Sequence, residues 1–104
     1  MKNERKKAMV KAKKKLTREI VGGEPYEYYA LGKFIVSAPG VCGGRPTFKY
    51  TRIEVEVFLD LLAAGTPLEK LLNTLQGRVN REAMEEALKL AASLLRREAR
   101  AVAA

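Results

Sequence analysis

The second half of the chain constrains the fold most, because three amphipathic segments follow one another with almost no chain between them. Val55, Phe58, Leu59 and Leu62 recur at helical spacing, and Glu54 and Glu56 sit at the start, where carboxylates suit the positive end of a helix. Gly65 is placed to end this helix, which the pattern predicts over residues 53–64. Thr66-Pro67-Leu68-Glu69 reads as a capping box with proline at the first helical position. It opens a second helix over 67–75, with Leu68, Leu71, Leu72 and Leu75 on one face. Gln76-Gly77-Arg78-Val79 is a turn, and Asn80 can cap a third helix over 80–98. Ala83, Met84, Ala87, Leu88, Ala91, Leu94 and Leu95 give that helix a sustained apolar stripe. Arg96, Arg97 and Arg100 lie near its C-terminal end, where cations are favoured. Helices on such short connections share one core.

Ahead of the helices, residues 26–52 read as short strands and turns. Lys33-Phe34-Ile35-Val36 and Thr47-Phe48-Lys49-Tyr50-Thr51 are β-prone, and Ser37-Ala38-Pro39-Gly40 and Gly43-Gly44 break the chain between them. A two-stranded ribbon over about 33–51 follows, too small to stand without helices or a second chain against it. Tyr26, Tyr28 and Tyr29 could stack on bases, but packing a small sheet is the better reading.

Residues 1–25 read as a basic arm. The formal net charge is +8. Residues 2–19 hold nine Lys/Arg and two Glu, 9 − 2 = +7, whereas the rest holds eleven Lys/Arg and ten Asp/Glu, 11 − 10 = +1. Met9, Ala12, Leu16 and Ile20 form a thin apolar stripe, which predicts a frayed helix or a disordered tail that orders on an acidic surface. Gly22-Gly23-Glu24-Pro25 punctuates its end. The expected architecture is mainly α: a three-helix helix-turn-helix bundle, homeodomain-like or winged-helix-like, with a small N-terminal β-ribbon, all within a single domain over 26–104.

Several chemistries are disfavoured. The chain has no histidine, which removes the commonest general base and metal ligand. Its one cysteine, Cys42, forms no internal disulfide, which points to a reducing compartment and hence the cytoplasm. No apolar run approaches the roughly 20 residues of a membrane span, and the basic N-terminus lacks the apolar stretch of a secretory signal. No catalytic residue, metal or cofactor is expected. Cys42 has no base to activate it and reads as a small buried thiol. Glu54, Glu56 and Asp60 read as solvating a helix start.

The nucleic-acid candidates are Arg78, Asn80 and Arg81 at the start of the third helix, with Lys13, Lys14, Lys15 and Arg18 of the arm. The first three are residue types that contact phosphates or base edges from a helix in the major groove. The arm could track phosphates or enter a minor groove. Glu82, Glu85 and Glu86 follow at once and oppose groove insertion. Arg52, directly before a helix, reads as structural. Arg45 could equally fix its own turn or hold a partner's carboxylate or phosphate.

Val41-Cys42-Gly43-Gly44-Arg45-Pro46, then Thr51-Arg52-Ile53, then Leu61-Leu62-Ala63-Ala64-Gly65, with Glu69 before Leu71, is similar to the family called domain of unknown function 433. The resemblance runs over roughly residues 34–94. Members look like antitoxins, small homeodomain-like or winged helix-turn-helix proteins often encoded beside a PIN-like nuclease toxin. It implies a prokaryotic DNA-associated regulator or toxin neutraliser, and not a catalyst. A homodimer is expected because the ribbon needs cover and such DNA readers usually bind paired half-sites. The alternative is a non-catalytic interaction module that binds an acidic partner protein without specific DNA binding. The family usually has glycine where this chain has Tyr50; tyrosine resists φ > 0, so a more extended turn is expected here.

Overall fold

The computed structural model describes residues 15–75 and 77–103. Four strands come first: β1 (Leu16–Val21), β2 (Glu24–Ala30), β3 (Ile35–Ser37) and β4 (Thr47–Phe48). Three helices follow: α1 (Val55–Ala63), α2 (Leu68–Thr74) and α3 (Arg81–Ala103). The strands form one antiparallel sheet in the order β1-β2-β3-β4. The predicted ribbon exists as the β3–β4 pair, with Ile35 opposite Phe48 and Val36 opposite Thr47.

The mainly α architecture is therefore corrected. Residues 16–30, read as the end of a basic arm and its flank, are a β-hairpin with Val21 paired to Glu24. Gly22 and Gly23 have φ of 61° and 83°, the two positive values that a type I′ turn requires. The helical stripe expected from Leu16 and Ile20 does not form. In strand geometry these residues share the outer face with Arg18, while Thr17 and Glu19 point inward. Arg18 lies opposite Glu27 and pairs with it at 3.7 Å. Met9, Ala12, Lys13 and Lys14 lie outside the described residues.

The short strand β3 is buried on both faces. Ile35 joins the main core with Phe48, Val55, Phe58, Leu71, Val79, Ala83, Met84 and Ala87. Phe48 and Phe58 meet edge to face, with ring centroids 5.6 Å apart. Val36 points the other way and packs with Tyr28 and Ala38, flanked by Tyr26 and Val41. Tyr26 and Tyr28 thus pack the sheet, as their pattern implied.

The helix boundaries follow recognisable local chemistry. The α1 helix ends in a Schellman turn: Gly65, at φ 101°, donates to the Leu62 carbonyl and Thr66 donates to that of Leu61. The expected capping box does not close. Pro67 occupies the cap position of α2 without any side-chain cap bond, and Glu69 turns to Arg81 instead. Asn80 does cap α3, its Oδ1 accepting the Ala83 N–H at 2.8 Å.

Candidate nucleic-acid interface

The family-motif residues mainly join the ribbon to α1. Cys42, Gly43 and Gly44 take φ of 51°, 64° and 86°, a left-handed run that reverses the chain. Cys42 is half-buried rather than buried, and its thiol donates to the Arg52 carbonyl at 3.5 Å. Arg45 resolves to its structural alternative: its guanidinium grips Glu54 through Nε at 3.0 Å and Nη2 at 3.3 Å. That bidentate bond raises the Arg45 pKa and holds the Glu54 carboxyl below its ordinary value. The Pro46 carbonyl accepts the Val55 N–H, and Thr51 Oγ1 donates to the Phe48 carbonyl while accepting the Ile53 N–H.

Tyr50 departs from expectation. It takes φ of 70°, so the tight turn persists without glycine. Three contacts hold this conformation. The Tyr50 N–H donates to the Tyr26 hydroxyl at 3.0 Å, the Tyr50 hydroxyl donates to Glu19 at 2.8 Å, and the Tyr26 and Tyr50 rings lie 5.4 Å apart. Glu19 also accepts from the Tyr28 hydroxyl and lies 3.6 Å from the Lys49 ammonium. The two tyrosine hydroxyls and Lys49 lower the Glu19 pKa.

At the start of α3 the three sequence candidates separate. Asn80 is committed to its cap. Arg81 is paired with Glu69, which raises its pKa and ties α3 to α2. Arg78 is exposed, and its side chain has no hydrogen-bond or ion-pair partner among the described residues. It faces a depression of about 380 Å³ lined also by Lys33, Phe34, Phe48, Lys49, Tyr50, Asn80 and Ala83. A neighbouring depression of about 360 Å³ shares Arg78 and Tyr50 and adds Arg52, Tyr26, Thr51, Val21 and Val41. Neither lining contains a carboxylate.

The loop bearing Lys33 is anchored from α3. Glu86 accepts the backbone N–H groups of Lys33 and Phe34, both at 2.7 Å. Its carboxylate occupies the space that a side chain at position 32 would need: a Cβ on Gly32 would lie 2.6 Å from the Glu86 Cδ. One of the three glutamates that seemed to oppose nucleic acid is thereby a loop anchor.

The result is a continuous cationic face. Lys33, Arg52 and Arg78 supply charge, Lys49 is largely offset by Glu19, and Tyr50 keeps 54% of its surface in water. Arg52 does not fix its turn as its place before a helix suggests: its side chain is exposed and bonds none of the described residues. Such a face suits phosphate groups, with an aromatic ring available for stacking. No local sequence signal marks Lys33, Lys49 and Tyr50 as contact residues. Their common feature is position at the two ribbon ends, which becomes visible only once β3 and β4 pair. Of the arm cations, Lys15 is exposed just ahead of β1 and Arg18 is engaged with Glu27. Among the described residues there is no cluster of three His, Cys, Asp or Glu side chains arranged to hold a metal, and no helix long and apolar enough to cross a membrane.

A four-stranded antiparallel sheet backed by three helices, with a cationic groove between its ribbon and the α2–α3 turn, defines an α+β module. Over residues 35–91 the chain matches the family described as protein of unknown function, DUF433, and it belongs to that family. No curated protein and no solved structure matches the chain.

Proposed function

We propose that the protein is an antitoxin-like, DNA-associated regulator whose phosphate contacts come from the face built by Lys33, Arg52 and Arg78. The observation that carries this reading is Arg78: an arginine on the turn between α2 and α3 whose side chain has no partner among the described residues, facing a groove whose described lining holds cations and no carboxylate. Exposed arginines beside a helix start are among the groups that contact phosphate oxygens in protein–DNA interfaces. Base readout by Arg81 and Asn80 is disfavoured because both are engaged within the protein. Recognition then rests on Arg78 and on the ribbon, with the basic residues of the N-terminal segment adding sequence-independent affinity. Gel shifts with the DNA upstream of the gene test this directly. One fragment should outcompete a large excess of bulk DNA; equal competition by all fragments rejects a regulatory role.

Glu82 and Glu85, exposed in the first turns of α3, favour a second reading. In it the cationic face docks on an acidic partner, such as a PIN-like nuclease encoded beside the gene, without specific DNA binding. Co-purification with the neighbouring gene product, together with failure of the gel shift, selects this reading. Neither reading involves catalysis.

A further inference from the structure

The third helix is longer than the domain needs. Its core contacts are made by Ala83, Met84, Ala87 and Leu90, and no residue beyond Leu90 belongs to the core. Yet the helix continues to Ala103. An apolar stripe runs along this extension through Leu88, Ala92, Leu95, Ala99 and Val102, and all five are exposed. Leu95 keeps 71% of its surface in water and Val102 84%. Among the described residues, no core contact within the chain covers this apolar side.

The charges beside the stripe identify the cover. Glu82 and Arg100 are separated by five full helical turns and so share one angular position. Glu85 and Arg96, about three turns apart, lie close to the same line. All four therefore border the stripe on one flank, the two glutamates toward the N-terminus and the two arginines toward the C-terminus, with Lys89 on the same flank one helical turn after Glu85. Both pairs are centred at Ala91 or half a residue before it. A second copy of α3 laid antiparallel and centred there brings Glu85 beside Arg96 of the other copy, and Glu82 beside Arg100. Two-fold symmetry repeats each contact. A parallel two-fold pairing sets the charged flank of each copy against the opposite flank of the other, so neither pair forms.

We infer that the exposed apolar face of α3 is a self-association surface, on which a second copy of this chain packs antiparallel with Leu88 of each copy against Leu95 of the other, in the register set by Glu85–Arg96 and Glu82–Arg100. The inference stands whether or not DNA is bound. If the DNA reading also holds, the geometry has a consequence. Arg81 is ten residues from the centre, so the two α3 starts lie about 30 Å apart along the shared axis. That is close to the roughly 34–36 Å between successive major-groove half-sites.

The test is light scattering and sedimentation equilibrium of the full chain without DNA. The expected mass at tens of micromolar is twice 11.6 kDa. Leu95→Glu should give a folded monomer, because the residue is mostly exposed within one chain. Glu85→Arg and Arg96→Glu should each weaken association about tenfold or more, since like charges then face each other twice. The double variant E85R/R96E should recover most of the affinity. The two positions are about 16 Å apart on one helix and do not meet within a chain, so recovery reports a contact between chains. Circular dichroism on each variant separates a lost interface from a lost fold. A wild-type mass of 11.6 kDa throughout the range overturns the inference. So does a dimer that survives Leu95→Glu, or a double variant that is folded yet no better associated than either single change.

Discussion

Replacing Gly32 by alanine should destabilise the protein through a residue 54 positions away. The backbone at Gly32 does not take a positive φ, so conformational strain is not the cause. The added Cβ would stand 2.6 Å from both Cδ and Oε2 of Glu86, closer than carbon and oxygen tolerate. The carboxylate must swing away from the Lys33 and Phe34 N–H groups that it accepts at 2.7 Å. A hydrogen bond to a charged group contributes roughly 1.5–3 kcal/mol. The Lys33 bond is exposed, and water replaces much of its value, whereas the Phe34 bond is partly buried. Glu86→Ala should therefore cost about 2–4 kcal/mol, and Gly32→Ala about 1.5–3 kcal/mol. The double variant should cost no more than Glu86→Ala alone, because the clash disappears with the carboxylate. Urea unfolding of the four proteins, followed by far-ultraviolet circular dichroism, gives the coupling as a double-mutant cycle. Additive single effects, or a Glu86→Ala protein within about 0.5 kcal/mol of wild type, would refute the anchoring role.

Deleting residues 1–14, which carry seven Lys/Arg and one Glu, 7 − 1 = +6, should preserve the cooperative melt, whereas deletion through residue 20 should lower it by removing Glu19 and most of β1. Gly23→Val should cost about 1–2 kcal/mol because a β-branched residue must adopt φ 83°, read as a lower melting temperature. Phe58→Ala should cost about 3–5 kcal/mol by opening a cavity against Phe48, read from denaturant midpoints. Acid should destabilise the fold through Glu19 and Glu54. Their pKa values are lowered in the native state, so the stability they add is present above 4.5 and is lost as pH falls below it through the native values. Glu19→Gln should flatten that loss between pH 5 and roughly pH 3, in melts recorded across the range.

The helical half was legible because each signal was local: the Gly65 terminator, the Asn80 cap and the 3.6-residue stripes. The β1–β2 hairpin was missed although a signal was present, a Gly22-Gly23 pair between runs rich in β-branched and aromatic residues. The cluster of lysines just before it drew the segment into a charged arm, and the wide spacing of Leu16 and Ile20 fits a helix as well as one strand face. Tyr50 was legible as a family departure but its consequence was misjudged. Side-chain contacts to Tyr26 and Glu19, remote in sequence, sustain a conformation that local preference disfavours. The same limit applies to the candidate site. Whether an arginine is free or engaged depends on where Glu69, Glu54 and Glu27 lie in space, so Arg81, Arg45 and Arg18 could not be told from Arg78 by residue type. Glu86 and Gly32 carry no sequence signal for their contact, because it joins a loop to a helix across the whole domain.

The salt dependence of duplex binding bears most directly on the cationic face around Arg78. Fluorescence anisotropy with a labelled duplex from the upstream region should be measured over a range of salt for the full chain, for Arg78→Ala and for the double variant K33A/R78A. Each phosphate neutralised contributes about −0.9 to the slope of log K against log salt. If Lys33 and Arg78 contact phosphates, the slope should flatten by about one with Arg78→Ala and by about two with both changes, while the fold stays intact because both side chains are exposed. Slopes identical to wild type in both folded variants would show that this face does not meet DNA.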